Sequence, residues 1–255
     1  MEFNINYEYI NNTGKNNIFT CWYMPKSDKD KYPLVIISHG FMANYQALAN
    51  FAVYLAEKGV MALTFDFCGG SSYSKSEGEF TSMSVLTEED DLERVIEFAK
   101  TKDNVDTNNI FLLGESQGAL VSSFVAAKRL DIKGLVLLYP SFVLFDDIRD
   151  MYKDINNLPT NCYMLGYKVG RNYITDIYNI NPFDVIKDYK NPVLIIHGTK
   201  DTISPIDYSE VAIKYLNPKS ELLPIDGAAH GFKENEIQKV YDKFIVYLAG
   251  RILNK

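Results

Sequence analysis

Ile110-Phe111-Leu112-Leu113-Gly114-Glu115-Ser116-Gln117-Gly118 is the stretch on which the fold turns. Four apolar residues in succession read as a buried strand. A serine with a glycine two residues to either side then reads as a sharp strand-to-helix turn that lifts one side chain above a sheet. Such a turn brings the strand and helix backbones so close that a Cβ at either glycine would clash. Beyond it, Leu120, Val121, Phe124 and Val125 form an apolar helical run. Strand, turn and helix in that order are what the presentation of a nucleophilic hydroxyl requires, so an activated Ser116 is the expectation that organises the rest of the chain.

Upstream, Phe3 to Tyr9 and Ile18 to Met24 alternate polar and apolar residues around the turn-forming Asn11-Asn12-Thr13-Gly14, and predict an antiparallel hairpin that opens the fold. Leu34 to Ser38 is a short apolar run of the kind covered on both faces of a sheet. Leu48, Phe51, Ala52, Leu55 and Ala56 follow at helical spacing until Gly59 stops them, and Val60 to Phe65 is the next buried strand. Thr87 with Asp90 reads as an N-cap and capping-box variant for a helix over about 88–100, ahead of Leu92, Val95, Ile96 and Ala99. Downstream, Leu135 to Tyr139, Val193 to Ile196 and Glu221 to Ile225 are further strands. Ile237, Val240, Tyr241, Phe244 and Leu248 form the stripe of a C-terminal helix. Alternating strands and helices predict an α/β fold with a mostly parallel central sheet and helices on both faces. Between Pro140 and about Asn181 no buried strand is expected, although Tyr, Phe, Leu and Met abound. So long a connection in a compact α/β domain usually carries function, and it reads as a small cap insertion at about 141–181 within a single domain spanning 1–255.

A chain of 255 residues, 47% hydrophobic and 23% charged, suits one globular domain with a sizeable core. Its net charge of -7 argues against a nucleic acid as partner, since such binders present a basic face. Met1 to Ile10 lacks the basic start and apolar core of a secretory signal, and no apolar run reaches the length of a membrane span. Cys21, Cys68 and Cys162 are odd in number, widely spaced and without a C-x-x-C pair, which fits a reducing compartment better than a disulfide scaffold or a zinc site. The expectation is a cytoplasmic enzyme with no cofactor and no metal, acting on a small molecule and not on a membrane. Oligomeric state is left open, a homodimer included.

A serine hydroxyl is a weak nucleophile at neutral pH. Ser116 therefore needs a histidine base, and that base needs a carboxylate to fix its tautomer. Of the three histidines, His230 lies in Gly227-Ala228-Ala229-His230-Gly231-Phe232, between the last strand and the C-terminal helix, where a loop can bring it over the sheet edge. It is taken as the base. His39 and His197 end apolar strands and read as structural, each bonded to neighbouring backbone. The acid is sought after the penultimate strand, where Gly198-Thr199-Lys200-Asp201-Thr202 presents Asp201. Asp146, Asp147 and Asp207 are its competitors, and a turn-forming role is the plainer alternative for Asp201 itself. Acyl transfer also needs donors aimed at the developing oxyanion. The expected pair are the N–H of Gln117, at the start of its helix, and the N–H of Phe41, after Ser38-His39-Gly40. Cys68 has no base of its own and reads as packing.

With Ser116, Asp201 and His230 in that order, the chain resembles the α/β-hydrolase family over nearly its whole length, and within it the bacterial cinnamoyl or feruloyl esterases. The matching stretches are His39-Gly40-Phe41, Phe65-Asp66-Phe67-Cys68-Gly69-Gly70-Ser71-Ser72, Gly114 to Gly118, His197 to Asp201, and Gly227 to Phe232. The subgroup leans on Gly170-Arg171-Asn172-Tyr173-Ile174 through Tyr178, Pro182 and Phe183. The resemblance implies an α/β-hydrolase fold and a serine carboxylic ester hydrolase acting through an acyl-enzyme on small or aromatic, hydroxycinnamoyl-type esters. It also implies that Asp147, early in the cap, meets the hydroxyl of an aromatic acyl group. Cap aromatics, with Phe142, Tyr167 and Tyr173 foremost, are candidates to line the acyl pocket, although a cap needs aromatics simply to pack. Two departures bear on substrate preference and remove no catalytic atom. Cys68 to Ser72 lacks a Gly-His-Gly pattern, and Ala119 stands where a further glycine often follows the turn. A serine peptidase or aminoacyl hydrolase, a thioesterase and a monoacylglycerol lipase are alternatives on the same fold, as is a binding protein without the chemistry.

Overall fold

Strands that are apolar on both faces need cover on both sides, and the helices supply it. The computed structural model describes residues 1–11, 14–27 and 29–252. Its strands are β1 (Phe3–Ile10), β2 (Ile18–Pro25), β3 (Tyr32–Ser38), β4 (Met61–Phe65), β5 (Val105–Glu115), β6 (Ile132–Leu138), β7 (Cys162–Met164), β8 (Tyr167–Val169), β9 (Val193–Gly198) and β10 (Glu221–Ile225). Its helices are α1 (Ala49–Glu57), α2 (Val85–Lys100), α3 (Ser116–Ala127), α4 (Leu144–Met151), α5 (Arg171–Thr175), α6 (Pro182–Ile186), α7 (Asp207–Ala212) and α8 (Glu234–Ile252). Among the described residues eight strands form one sheet in the order β1-β2-β4-β3-β5-β6-β9-β10. β1 pairs antiparallel with β2, and β2 with β4; the remaining pairings in this sheet are parallel. Two residues of the expected hairpin turn, Asn12 and Thr13, lie outside the described residues.

Alternation along each strand sorts the core. Leu34 and Ile36 of β3 face one side of the sheet, where Leu92 and Val95 of α2 and Leu120 and Phe124 of α3 cover them. Val35 and Ile37 face the other, with Phe51 and Leu55 of α1 and Phe244 and Leu248 of α8. Each such side chain, taken fully from water, contributes about 1.5–3 kcal/mol. β4 lies on one side of β3 and β5 on the other, so the strand order reverses at β3. The crevice beyond the carboxyl ends of β3 and β5 is where α/β sheets place their sites.

Two local expectations need correction. The helix over 88–100 begins three residues earlier, at Val85, and its N-cap is Ser84. The Ser84 hydroxyl accepts from the Thr87 N–H (3.3 Å), and the Thr87 hydroxyl accepts from the Ser84 N–H (2.8 Å). Thr87 therefore fills the position in the capping box where Glu or Gln is the familiar sign. The long connection after β6 does contain strand, but only β7 and β8, three residues each, paired with one another apart from the main sheet. Leu165 and Gly166 turn between them with φ of 49° and 83°. α5 is tied to the start of α2. Asn172 Nδ2 donates to the carbonyl oxygens of Ser82 (2.9 Å) and Met83 (3.3 Å), and the Ser84 hydroxyl donates to Asp176 (2.6 Å). No helix among the described residues is long and apolar enough to cross a membrane.

Candidate active site

β5 ends at Glu115 and α3 starts at Ser116, so the turn has no spare residue. Ser116 takes φ of 51°, a region that costs a residue bearing a Cβ on the order of 1–3 kcal/mol. The flanking glycines allow it. A Cβ on Gly114 would lie 2.3 Å from the Gly118 carbonyl oxygen, the strand-helix clash expected from the sequence. A Cβ on Gly118 would lie 2.2 Å from the His39 carbonyl oxygen, so the second glycine admits the end of β3, not of β5.

The Ser116 hydroxyl lies 3.0 Å from His230 Nε2, and His230 Nδ1 lies 2.7 Å from Asp201 Oδ2. A carboxylate only accepts, so Nδ1 carries the ring proton, Nε2 is the acceptor, and Ser116 donates to it. Asp201 Oδ1 accepts from the amides of Ile203 and Ser204, both at 2.9 Å. His197 does more than bond neighbouring backbone. Its Nε2–H is shared between the Ser204 carbonyl (2.6 Å) and Asp201 Oδ2 (3.2 Å), while Nδ1 accepts from the Ser209 hydroxyl (2.8 Å). Burial alone would raise the Asp201 carboxyl. Bonds from His197, His230 and Ser204 outweigh burial and hold it below the usual carboxylate range. Asp146, a competitor for the acid, is bonded instead to Tyr208 and Arg149 at the surface.

His39 meets its expectation as a backbone-bonded ring. Nδ1–H donates to the Gly40 carbonyl (2.8 Å) and Nε2 accepts from the Phe67 N–H (3.1 Å). Burial lowers its pKa to about 4, so the ring is neutral at physiological pH and pins the turn before Phe41. Glu115 pins the same turn from the other side. Its carboxyl accepts from the Gly40 N–H (3.3 Å) and from the Tyr139 hydroxyl (2.7 Å), whose ring packs 4.7 Å from that of His230. Gln117 is the second residue of α3, and the first amides of a helix have no carbonyl partner within it.

A cavity of about 40 Å³ touches Ser116, Phe41 and Gln117. Of the residues expected in the acyl pocket, Asp147 and Tyr173 line it. Phe142 does not. The chain turns inward after Pro140, leaving Phe142 1% exposed and packed 5.7 Å from the Phe183 ring in the core. Tyr167 is half-exposed outside the cavity, its ring centroid 6.1 Å from that of Phe41. Cys68 is partly buried, and burial raises its thiol far above the ordinary range, which leaves it no thiolate at neutral pH.

Four residues of the site went unread in the sequence. Ser141 places its hydroxyl 2.9 Å from Ser116 Oγ. Met164 and Leu165, from β7 and its turn, cover the cavity. Glu88 of α2, 1% exposed, accepts from Gln117 Nε2 (2.8 Å), while Gln117 Oε1 accepts from the Tyr173 hydroxyl (2.5 Å). Burial raises the Glu88 carboxyl to about 8. A signal for Glu88 did exist, because it falls on the same helical stripe as Val85, Leu92, Val95 and Ala99.

The family model described as "Serine aminopeptidase, S33" matches residues 29–168. Human alpha/beta hydrolase domain-containing protein 17B is 25% identical over 224 residues, which are 87% of this chain and 68% of that protein. The uncharacterized protein YfhR of Salmonella typhimurium is 26% identical over 222 residues, 81% of this chain and 68% of its own length. Among solved structures, Est1E from Butyrivibrio proteoclasticus with ferulic acid bound superposes with a TM-score of 0.86 at 28% identity. The match covers 96% of this chain and 99% of that one.

Proposed function

The chain belongs to the family described as Serine aminopeptidase, S33, and has the α/β-hydrolase fold; from that premise we propose that it is a serine carboxylic ester hydrolase acting through an acyl-enzyme on small or aromatic, hydroxycinnamoyl-type esters. The observation that carries this reading is the unbroken chain of hydrogen bonds from Asp201 through His230 to Ser116. Ser116 Oγ attacks the ester carbonyl carbon as its proton passes to His230 Nε2, and Asp201 stabilises the resulting imidazolium. The carbonyl oxygen takes up negative charge against the N–H groups of Phe41 and Gln117, each donor lowering the barrier by about 3 kcal/mol. Collapse expels the alcohol with the proton from His230 and leaves Ser116 acylated. Water then attacks through the same base, and the acid departs as Ser116 recovers its proton.

The cavity bears on the substrate class proposed here. It is small, about 40 Å³. Short acyl chains suit it directly, and an aromatic acyl group enters as Met164 and Leu165 give way, with the 141–181 segment acting as the cap. Asp147 lines the cavity with its carboxyl raised by burial, which supports a role for it in accepting a bond from a ring hydroxyl. The ferulic acid held by Est1E supports that class. A second reading, a peptidase or aminoacyl hydrolase with Asp147 anchoring the amine, is favoured by the family's own description.

Parallel assays on p-nitrophenyl butyrate, methyl ferulate and an aminoacyl p-nitroanilide separate the two. The esters are expected to turn over faster than the anilide, and Ser116→Ala is expected to abolish ester turnover. Preference for the anilide selects the peptidase reading. Turnover by the Ser116→Ala variant sinks the serine mechanism altogether.

A further inference from the structure

We propose, building on the serine mechanism above, that Ser141 is a catalytic hydroxyl: it donates a hydrogen bond to Ser116 Oγ and stabilises negative charge on that oxygen in both half-reactions. The 2.9 Å separation of the two hydroxyl oxygens leaves either free to be the donor. The proton inventory decides between them. Ser116 has one proton, and it goes to His230 Nε2 at 3.0 Å, because the Nδ1–H of that ring is committed to Asp201 at 2.7 Å. The proton between the two serines therefore belongs to Ser141. The nucleophile gives one hydrogen bond and receives one.

Ser141 is held by the parts it serves. Its N–H donates to the Ser116 carbonyl oxygen (3.2 Å), which ties its backbone to that of the nucleophile. The carbonyl of Pro140 just before it accepts from the Ser204 hydroxyl (2.8 Å), and the Ser204 N–H donates to Asp201 Oδ1 (2.9 Å). Residues 140 and 141 are thus clamped between the loop that carries the nucleophile and the loop that carries the acid. Ser141 also forms part of the cavity wall, as Ser116 and Gln117 do.

A donor in this position acts on both steps. In acylation, Ser116 Oγ loses its proton to His230 while bonding to the carbonyl carbon, and the Ser141 O–H offsets the charge that gathers on the oxygen. In the acyl-enzyme that same atom is the ester oxygen. During deacylation, water adds to the carbonyl carbon and gives a proton to His230; the bond from carbon to Ser116 Oγ then breaks, its electron pair goes to Oγ, and His230 returns the proton there. Ser141 again faces the oxygen that takes the charge. It transfers no proton of its own, and its O–H bond stays intact throughout.

The test measures the two half-reactions separately. Rapid-mixing kinetics on p-nitrophenyl butyrate give acylation from the burst of p-nitrophenolate and deacylation from the steady state. A fluorophosphonate, which phosphonylates Ser116 Oγ with loss of fluoride, reports nucleophilicity without any ester turnover. Ser141→Ala is expected to slow burst, steady state and labelling by about tenfold each, the equivalent of about 1.4 kcal/mol of barrier. Ser141→Thr, which keeps the hydroxyl, is expected to restore all three. Unchanged rates in Ser141→Ala overturn the proposal. Equal losses in folded Ala and Thr variants assign a packing role and overturn it as well. If the unmutated enzyme turns over no ester, the ester reading falls, while the labelling rates still decide the role of Ser141.

Discussion

Asp201 accepts from two histidine rings and two backbone amides, and that density makes it more than a turn former. Hydrogen bonds to a charged acceptor are worth about 1.5–3 kcal/mol each, which is how four of them overcome the cost of burial. Asp201→Asn would turn one acceptor oxygen into a donating NH2. His230 would then keep its proton on Nε2 and lose the ability to accept from Ser116. Steady-state kinetics on p-nitrophenyl butyrate are expected to show kcat reduced by about 10³- to 10⁴-fold with KM little changed. A loss of less than tenfold would mean that Asp201 does not set the tautomer. The meeting of Ser116, Asp201 and His230 was legible in the chain because each comes soon after the end of a strand, in a local pattern of glycine and small residues. The partnership of His197 with Asp201 and of Ser141 with Ser116 was not. Both depend on how separate loops fold back on one another, and neither residue differs locally from an ordinary strand-end residue.

Between elements, the strand-to-helix turn at Ser116 is a close backbone contact. The Cβ that Gly118→Ala adds would sit 2.2 Å from the His39 carbonyl oxygen and 2.5 Å from that of Ser38, and both are backbone atoms that cannot step aside. α3 must shift away from β3, which moves the Gln117 amide relative to Phe41. Overpacking of this kind costs about 1–3 kcal/mol. Gly118→Ala is therefore expected to lower the urea midpoint and remove most ester turnover. Ala119→Gly, one position along, is expected to cost only about 0.5–1 kcal/mol of helix propensity and to stay active. Similar losses in the two variants would deny any special role to the close approach. The strands and long helices of this fold could be read from the sequence because continuous apolar runs and helical stripes persist for five residues or more. β7 and β8 could not, because three residues cannot display a period, and neither could α5, whose five residues make less than a turn and a half of helix. The Ser84 cap was misplaced because its reciprocal partner is Thr87, itself a common N-cap.

For the whole molecule, the buried ionisable groups set how stability follows pH. Burial raises Glu88 from its ordinary 4.5 to about 8, so between those values the folded state holds a proton that the unfolded state has released. Stability from this group falls as pH rises through that window. His39 acts in the opposite sense. Its pKa drops from 6.5 to about 4, so between those values unfolding takes up a proton and stability rises with pH. Asp91, raised by burial to about 6, adds to the Glu88 trend only at lower pH. Above pH 6.5 most of the His39 and Asp91 contributions are in place, and of these three Glu88 accounts for the main remaining change. Over the remaining 1.5 pH units to 8, at 1.36 kcal/mol per unit, it removes about 2 kcal/mol. Urea unfolding of the unmutated protein is expected to show that decline between pH 6.5 and 8. Glu88→Gln keeps an acceptor for Gln117 Nε2 and has nothing to titrate, so its stability is expected to stay level across the interval. A parallel decline in the variant would place the titrating group elsewhere. A level profile with ester turnover retained would show that an uncharged acceptor beneath Gln117 suffices.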